Sequence, residues 1–132
     1  MDIKEIYKKL DISWLKVGLM LIFGRRASLY EYLLDKANTG AHILATIITA
    51  GERGDTLRSL LARIADVSGI MKDCTGCLPD EWLPFALNCN DAIKKVYECG
   101  TAILTGKNIT AEDIKDAISK FEQIYAAYKS ND

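Results

Sequence analysis

Four cysteines hold most of the chemical potential of this chain: Cys74, Cys77, Cys89 and Cys99, with none elsewhere. Their types and spacing admit a zinc site, a redox pair, a disulfide or simply buried thiols. Cys74-Thr75-Gly76-Cys77 has the short gap of a zinc half-site, but Cys89 and Cys99 are ten positions apart, where a second half-site wants two to four residues between its ligands. If one helix carries both, their sulfurs stand about 15 Å apart along its axis, too far for Zn–S bonds of about 2.3 Å. His42, the single histidine, lies in an apolar stretch with no ligand near it in sequence and reads as a core or boundary residue. No metal or other cofactor is therefore expected. A redox Cys-x-x-Cys uses a helix N-terminus to lower the thiol pKa. This one follows a helix, and the negative end of the dipole raises it.

A disulfide needs Cα atoms roughly 4.4–6.8 Å apart, which again separates Cys89 from Cys99. In an antiparallel helix pair joined by residues 73–83, Cys74 or Cys77 can reach Cys89. That bridge would close a loop of about 15 residues and add about 3 kcal/mol. It and a fully reduced set both remain open, with Cys99 in either case a small buried hydrophobe. Disulfides occur in secreted proteins and inside hyperthermophiles.

Other catalytic signatures are missing. Gly51-Glu52-Arg53-Gly54 lacks the Lys-Ser/Thr that completes a phosphate loop. No nucleophile elbow and no Glu-x-x-His pair is present. Glu112, Asp113 and Asp116 read as a solvated face, so no enzyme is expected. Net charge is −1, with +3 in the first 63 residues and −4 in the rest. All the arginines, Arg25, Arg26, Arg53, Arg58 and Arg63, fall in that first part. They are the candidate nucleic-acid contacts, although a dedicated binder shows a continuous basic stripe. Aromatics gather at element ends, where they pack the core or form an oligomer interface. Trp14, Trp82 and Phe85 are the interface candidates, and Trp82, between Pro79 and Pro84, is expected to be an exposed loop anchor.

The elements that position these residues are helical. No strand-length alternation or hairpin signal occurs. Leu57, Leu60, Leu61, Ile64, Val67 and Met71 form one face of a helix over Thr56–Lys72, capped by Asp55. Pro84 suits the first turn of a helix that runs to about Leu104 and stops at Gly106. Gly100 inside it costs about 1 kcal/mol against Ala, which a close helix crossing or a kink would explain. Thr110 and Asp113 approximate a capping box for a last helix with Ile114, Ala117, Ile118, Phe121, Tyr125 and Tyr128 on one face. Residues 129–132 are expected to fray.

The first half predicts a short helix over Asp2–Leu10, then Trp14–Phe23 capped by Ser13 and stopped at Gly24. Ser28 and Glu31 match a capping box for Leu29–Ala37. Gly40–Ala50 is apolar nearly all round, the pattern of a central element. A single helix over 13–37, bent near Gly24, is the alternative to the break favoured here. The sum is an all-α chain, one compact antiparallel bundle of five to seven helices over residues 1–132. Trp14–Phe23 is the longest strongly apolar stretch, shorter than the roughly 20 residues a bilayer needs and interrupted by Lys16. No signal-peptide pattern is seen, so the expected location is a virion or the cytoplasm.

The profile, with 15 Ile, 15 Leu, one Gln, helical punctuation throughout and Cys74-Thr75-Gly76-Cys77, resembles the small helical virion proteins of hyperthermophilic archaeal viruses such as the Acidianus two-tailed virus. The resemblance spans the whole chain and contains no specific motif, so no functional residue comes with it. It implies a thermophilic, non-enzymatic structural or assembly protein that self-associates. The residues leave two other classes open: an adaptor or regulatory module that binds a protein through a helix groove, and a nucleic-acid binder using the arginines.

Overall fold

Six helices organise residues 2–130, the residues that the computed structural model describes: α1 (Ile3–Leu10), α2 (Trp14–Ile22), α3 (Arg26–Thr49), α4 (Asp55–Thr75), α5 (Leu83–Leu104) and α6 (Ala111–Ser130). Three of the helix ends share one device. At Gly24, Gly51 and Gly106 the backbone turns to positive φ, a conformation glycine enters without the Cβ penalty. The glycine's own amide and the next one then fold back. After α2, Gly24 N–H donates to the Leu21 carbonyl at 3.2 Å and Arg25 N–H to that of Met20 at 2.8 Å. The ends of α3 and α5 repeat this pairing at Gly51–Glu52 and Gly106–Lys107. These are Schellman closures, which satisfy carbonyls the helix leaves unpaired. The break expected at Gly24 is therefore present.

Helix starts are more varied. Ser13 Oγ accepts from Lys16 N–H at 3.3 Å and opens α2. Thr110 and Asp113 form the reciprocal capping box before α6, with bonds of 3.1 and 3.2 Å. Asp55 is not a cap: Gly54 takes that position, and the Asp55 carboxylate pairs with Arg58 at 3.0 Å. Ser28 and Glu31 do not open a helix either. The Gly24 closure delivers the chain straight into α3 at Arg25, so Ser28 already lies inside the first turns. What read as two segments, Leu29–Ala37 and Gly40–Ala50, is one continuous helix. The join at Asn38-Thr39 stays helical because tertiary burial outweighs propensity: a Cβ on the next residue, Gly40, would stand 3.0 Å from Ile64, so the glycine is a contact point for α4.

α3 is the central element, as its apolar C-terminal half suggests. It packs against α1, α2, α4, α5 and α6, and Ala41, Leu44 and Ile47 are fully buried. α4, α5 and α6 follow through short connections, each packed on its predecessor, and α6 returns to α3 to close the bundle. Gly100 marks a close crossing. A Cβ there would fall 2.6 Å from Leu61 Cδ2 and 3.5 Å from Leu44 Cδ2, so the glycine is explained by helix approach. α1 lies across α3 and α4, while α2 touches α3 alone. At the chain end, Lys129 is anchored to Glu31 and Asp35, and Tyr125 donates to Asp35 at 2.6 Å. The expected fraying does not apply to Lys129 and Ser130, which lie in α6; Asn131 and Asp132 lie outside the described residues.

Candidate functional site

The cysteines divide much as their spacing suggests, but no disulfide joins them: Cys74, Cys77, Cys89 and Cys99 are all free thiols. Cys89 is buried beside Tyr30, and burial pushes its thiol up to about 12. Cys74 is also raised, by burial first and then by Cys77 and Asp73. Cys99 stands apart and half-buried, raised by burial and then by Asp113 and Glu98. Only Cys77 is exposed. A thiol held above its ordinary pKa supplies little thiolate, which is the nucleophilic and metal-binding form. Among the described residues, no three of His, Cys, Asp and Glu gather in a way that could hold a metal ion. His42 is exposed and faces Glu122 at 3.4 Å.

Buried polarity instead knits helices together. The Tyr30 hydroxyl lies 2.9 Å from the Ala86 carbonyl and 2.6 Å from Asn90 Oδ1. Asn90 Nδ2 donates to Thr75 Oγ1 at 2.7 Å, and that hydroxyl donates to the Met71 carbonyl at 2.7 Å. One chain of hydrogen bonds thus ties α3, α4 and α5. Burial, followed by Cys89, raises the Tyr30 pKa, consistent with a phenol fixed as a donor.

The arginines do not converge. Arg25 and Arg26 are exposed at the start of α3, whereas Arg53 and Arg58 flank the start of α4, beyond the other end of α3. A helix of that length spans about 35 Å. Arg63 is occupied, pairing with Asp11 at 2.6 Å and lying 4.2 Å from the Tyr7 ring centroid. No single basic stripe results.

The aromatic candidates separate as well. Trp82 is half-buried, its ring 5.4 Å from that of Tyr128, and Phe85 packs partly against the core. Trp82 is therefore a seam between the start of α5 and the end of α6 and not the exposed anchor expected of it. Trp14 is different, at 66% exposed, and it has company. On α2, Leu15 is 76%, Ile22 78% and, just beyond, Phe23 71% exposed, with Leu19 and Leu21 about half exposed. Spacing explains the pattern. Trp14, Gly18 and Ile22 repeat every four residues and Leu15 and Leu19 lie alongside, which sets them on one helix face. Val17 alone is buried, with Met20 half-buried beside it, so the opposite face seats on α3.

α2 is held rigidly enough to present this face. Ser13 N–H donates to the Tyr32 hydroxyl at 3.0 Å at one end, and the Gly24 closure fixes the other. Lys16, the one charged residue of α2, turns aside with its Nζ 4.8 Å from the Tyr32 ring centroid. The outward face therefore has no charge. Leu15, Leu19, Leu21 and Ile22 were not singled out from sequence. The available signal was that a segment apolar on every side is normally a buried helix.

No family model matches the chain, nor does any curated protein or solved structure. No helix of the described residues is long and apolar enough to cross a membrane.

Proposed function

We propose that the protein is a non-enzymatic structural or assembly component, of the kind a virion coat uses, that self-associates through α2. One observation supports the reading. α2 has the composition of a buried helix but lies at the periphery, with Trp14, Leu15, Ile22 and Phe23 mostly in solvent. The six side chains present on the order of 600 Å² of apolar surface, at the upper end of what a typical monomer exposes in one patch. At about 25 cal/mol per Å², leaving that area in water forgoes on the order of 15 kcal/mol of gross transfer free energy. Only part of this becomes affinity once association entropy is subtracted.

The dispersed arginines weigh against nucleic acid as the main partner, and the raised thiol pKa values weigh against cysteine chemistry. Light scattering across a concentration series tests the proposal: the average mass should rise with concentration and be insensitive to reductant. A monomer at every concentration would refute self-association and leave the same face to a different protein. A shift of duplex DNA with a steep salt dependence would favour the arginine reading.

A further inference from the structure

We infer that the occupant of the α2 face is the α2 face of a second copy, the two helices crossing antiparallel about a two-fold axis at Gly18. The inference rests on the self-association proposed above and adds the geometry and symmetry of the contact. Three features lead to it.

The first is area. About 600 Å² on each copy would bury about 1,200 Å² in all, the lower bound of a standard stable interface. Against a polar surface the patch would bury a similar total area but would strip water from polar groups opposite it, a cost that the apolar face of a second copy does not carry.

The second is charge. An isologous contact sets a surface against itself, so a face with charges of a single sign would repel its copy. This face has none, because its one lysine is directed onto Tyr32. A broad groove of about 500 Å³ lies between α4 and α5, and it is lined by Lys72, Asp91, Lys94 and Glu98 among others. It would bury charges against an apolar helix, at a desolvation cost that the α2–α2 pairing avoids.

The third is the place of Gly18. It is the midpoint of α2, one turn from Trp14 and one turn from Ile22. Inside this fold Gly40 and Gly100 sit where another helix comes close, and a Cβ there would meet Ile64 or Leu61. A Cβ on Gly18 would meet nothing within 4 Å, as is also true of Gly69 on α4, but Gly18 is the one that lies within the uncharged apolar face. An antiparallel crossing at this point lets two backbones approach closely. It lays Trp14 of each copy beside Ile22 of the other and Leu15 beside Leu21.

A residue on a two-fold axis crosslinks to itself, which gives the test. Gly18→Cys is made in a Cys77→Ser background, since Cys77 is the exposed native thiol. Glu112→Cys in the same background, on exposed α6, serves as control. Circular dichroism verifies folding, and light scattering runs in parallel. Under mild oxidation Gly18→Cys should convert mostly to a reducible dimer, at least tenfold faster than the control. Leu15→Cys, beside the axis, should crosslink with a short bismaleimide and so guards against a Gly18 variant that fails to fold. If oligomers form but neither Gly18→Cys nor Leu15→Cys crosslinks above the control, the symmetric pairing is wrong and self-association stands. If no oligomers form, both fail. Sedimentation of the monomer with anionic phospholipid vesicles would also overturn the inference and make a lipid surface the occupant.

Discussion

Replacing Gly100 by alanine tests whether close helix approach, and not a tolerance for flexibility, sets the core of this bundle. On an exposed helix, Gly→Ala stabilises by about 1 kcal/mol. At Gly100 the added methyl would lie 2.6 Å from Leu61 Cδ2, about 1 Å inside ordinary contact at roughly 3.5–4 Å. Leu61 is buried and must turn or retreat, while Leu44 Cδ2 at 3.5 Å closes the other side. Overpacking of this kind costs about 1–3 kcal/mol. Set against the helix gain, the expected net is about 1 kcal/mol of destabilisation, or about 4 °C in Tm for a chain of this size. Gly69→Ala is the reference, because a Cβ there meets nothing within 4 Å and the site is exposed; it should raise Tm by a similar amount. Urea unfolding followed by circular dichroism, at one low protein concentration so that association does not interfere, reads both. If Gly100→Ala stabilises as much as Gly69→Ala, the close crossing of α4 and α5 is not present in solution and the packing argument fails.

Two further outcomes follow from the same structure. Cys89 and Tyr125 both titrate near 12 when folded, above ordinary values of 9.0 and 10.0. Each stays protonated in the native state after the unfolded chain has released its proton, so the stability they contribute is intact below pH 9 and is lost as pH rises from about 9 to 12. The slope should reach about 1.4 kcal/mol per pH unit for the buried Cys89 and less for Tyr125, which solvent partly screens, and Cys89→Ala should flatten the lower part of the window; an unchanged slope would show that Cys89 is not buried. Thiol labelling of the native protein, read by intact mass, should modify Cys77 fastest, Cys74 and Cys99 more slowly, and Cys89 only with denaturant. Rapid native labelling of Cys89 would contradict its place beside Tyr30.

Much of the helix map was legible because its signals are local. Gly24, Gly51 and Gly106 end helices through their own backbone conformation, and Thr110 and Asp113 cap α6 through their own side chains. The misreadings came where a local pattern competed with distant contacts. Ser28 and Glu31 mimic a capping box but lie within a helix that starts earlier. Leu29–Ala37 and Gly40–Ala50 read as separate segments, but Ile64, 24 residues beyond Gly40, packs beside it and the helix runs on. Trp82 was expected outside because loops usually lie on the surface, but Tyr128, from the far end of the chain, covers it. The candidate site was legible only in part. Trp14 stood out by residue type. The face it belongs to did not, because α2 is apolar on nearly every side apart from Lys16 and periodicity cannot say which face the chain itself buries.

The central claim, that α2 joins copies of this chain, is tested most directly by Ile22→Glu. Ile22 is 78% exposed in the single chain, so the glutamate should leave the monomer's fold and Tm essentially unchanged. In the assembly it would bury an unpaired charge, weakening association by at least about 100-fold. Sedimentation velocity should show concentration-dependent oligomers for the native protein and a folded monomer for Ile22→Glu at the same concentrations. Identical oligomers from both proteins would contradict the account.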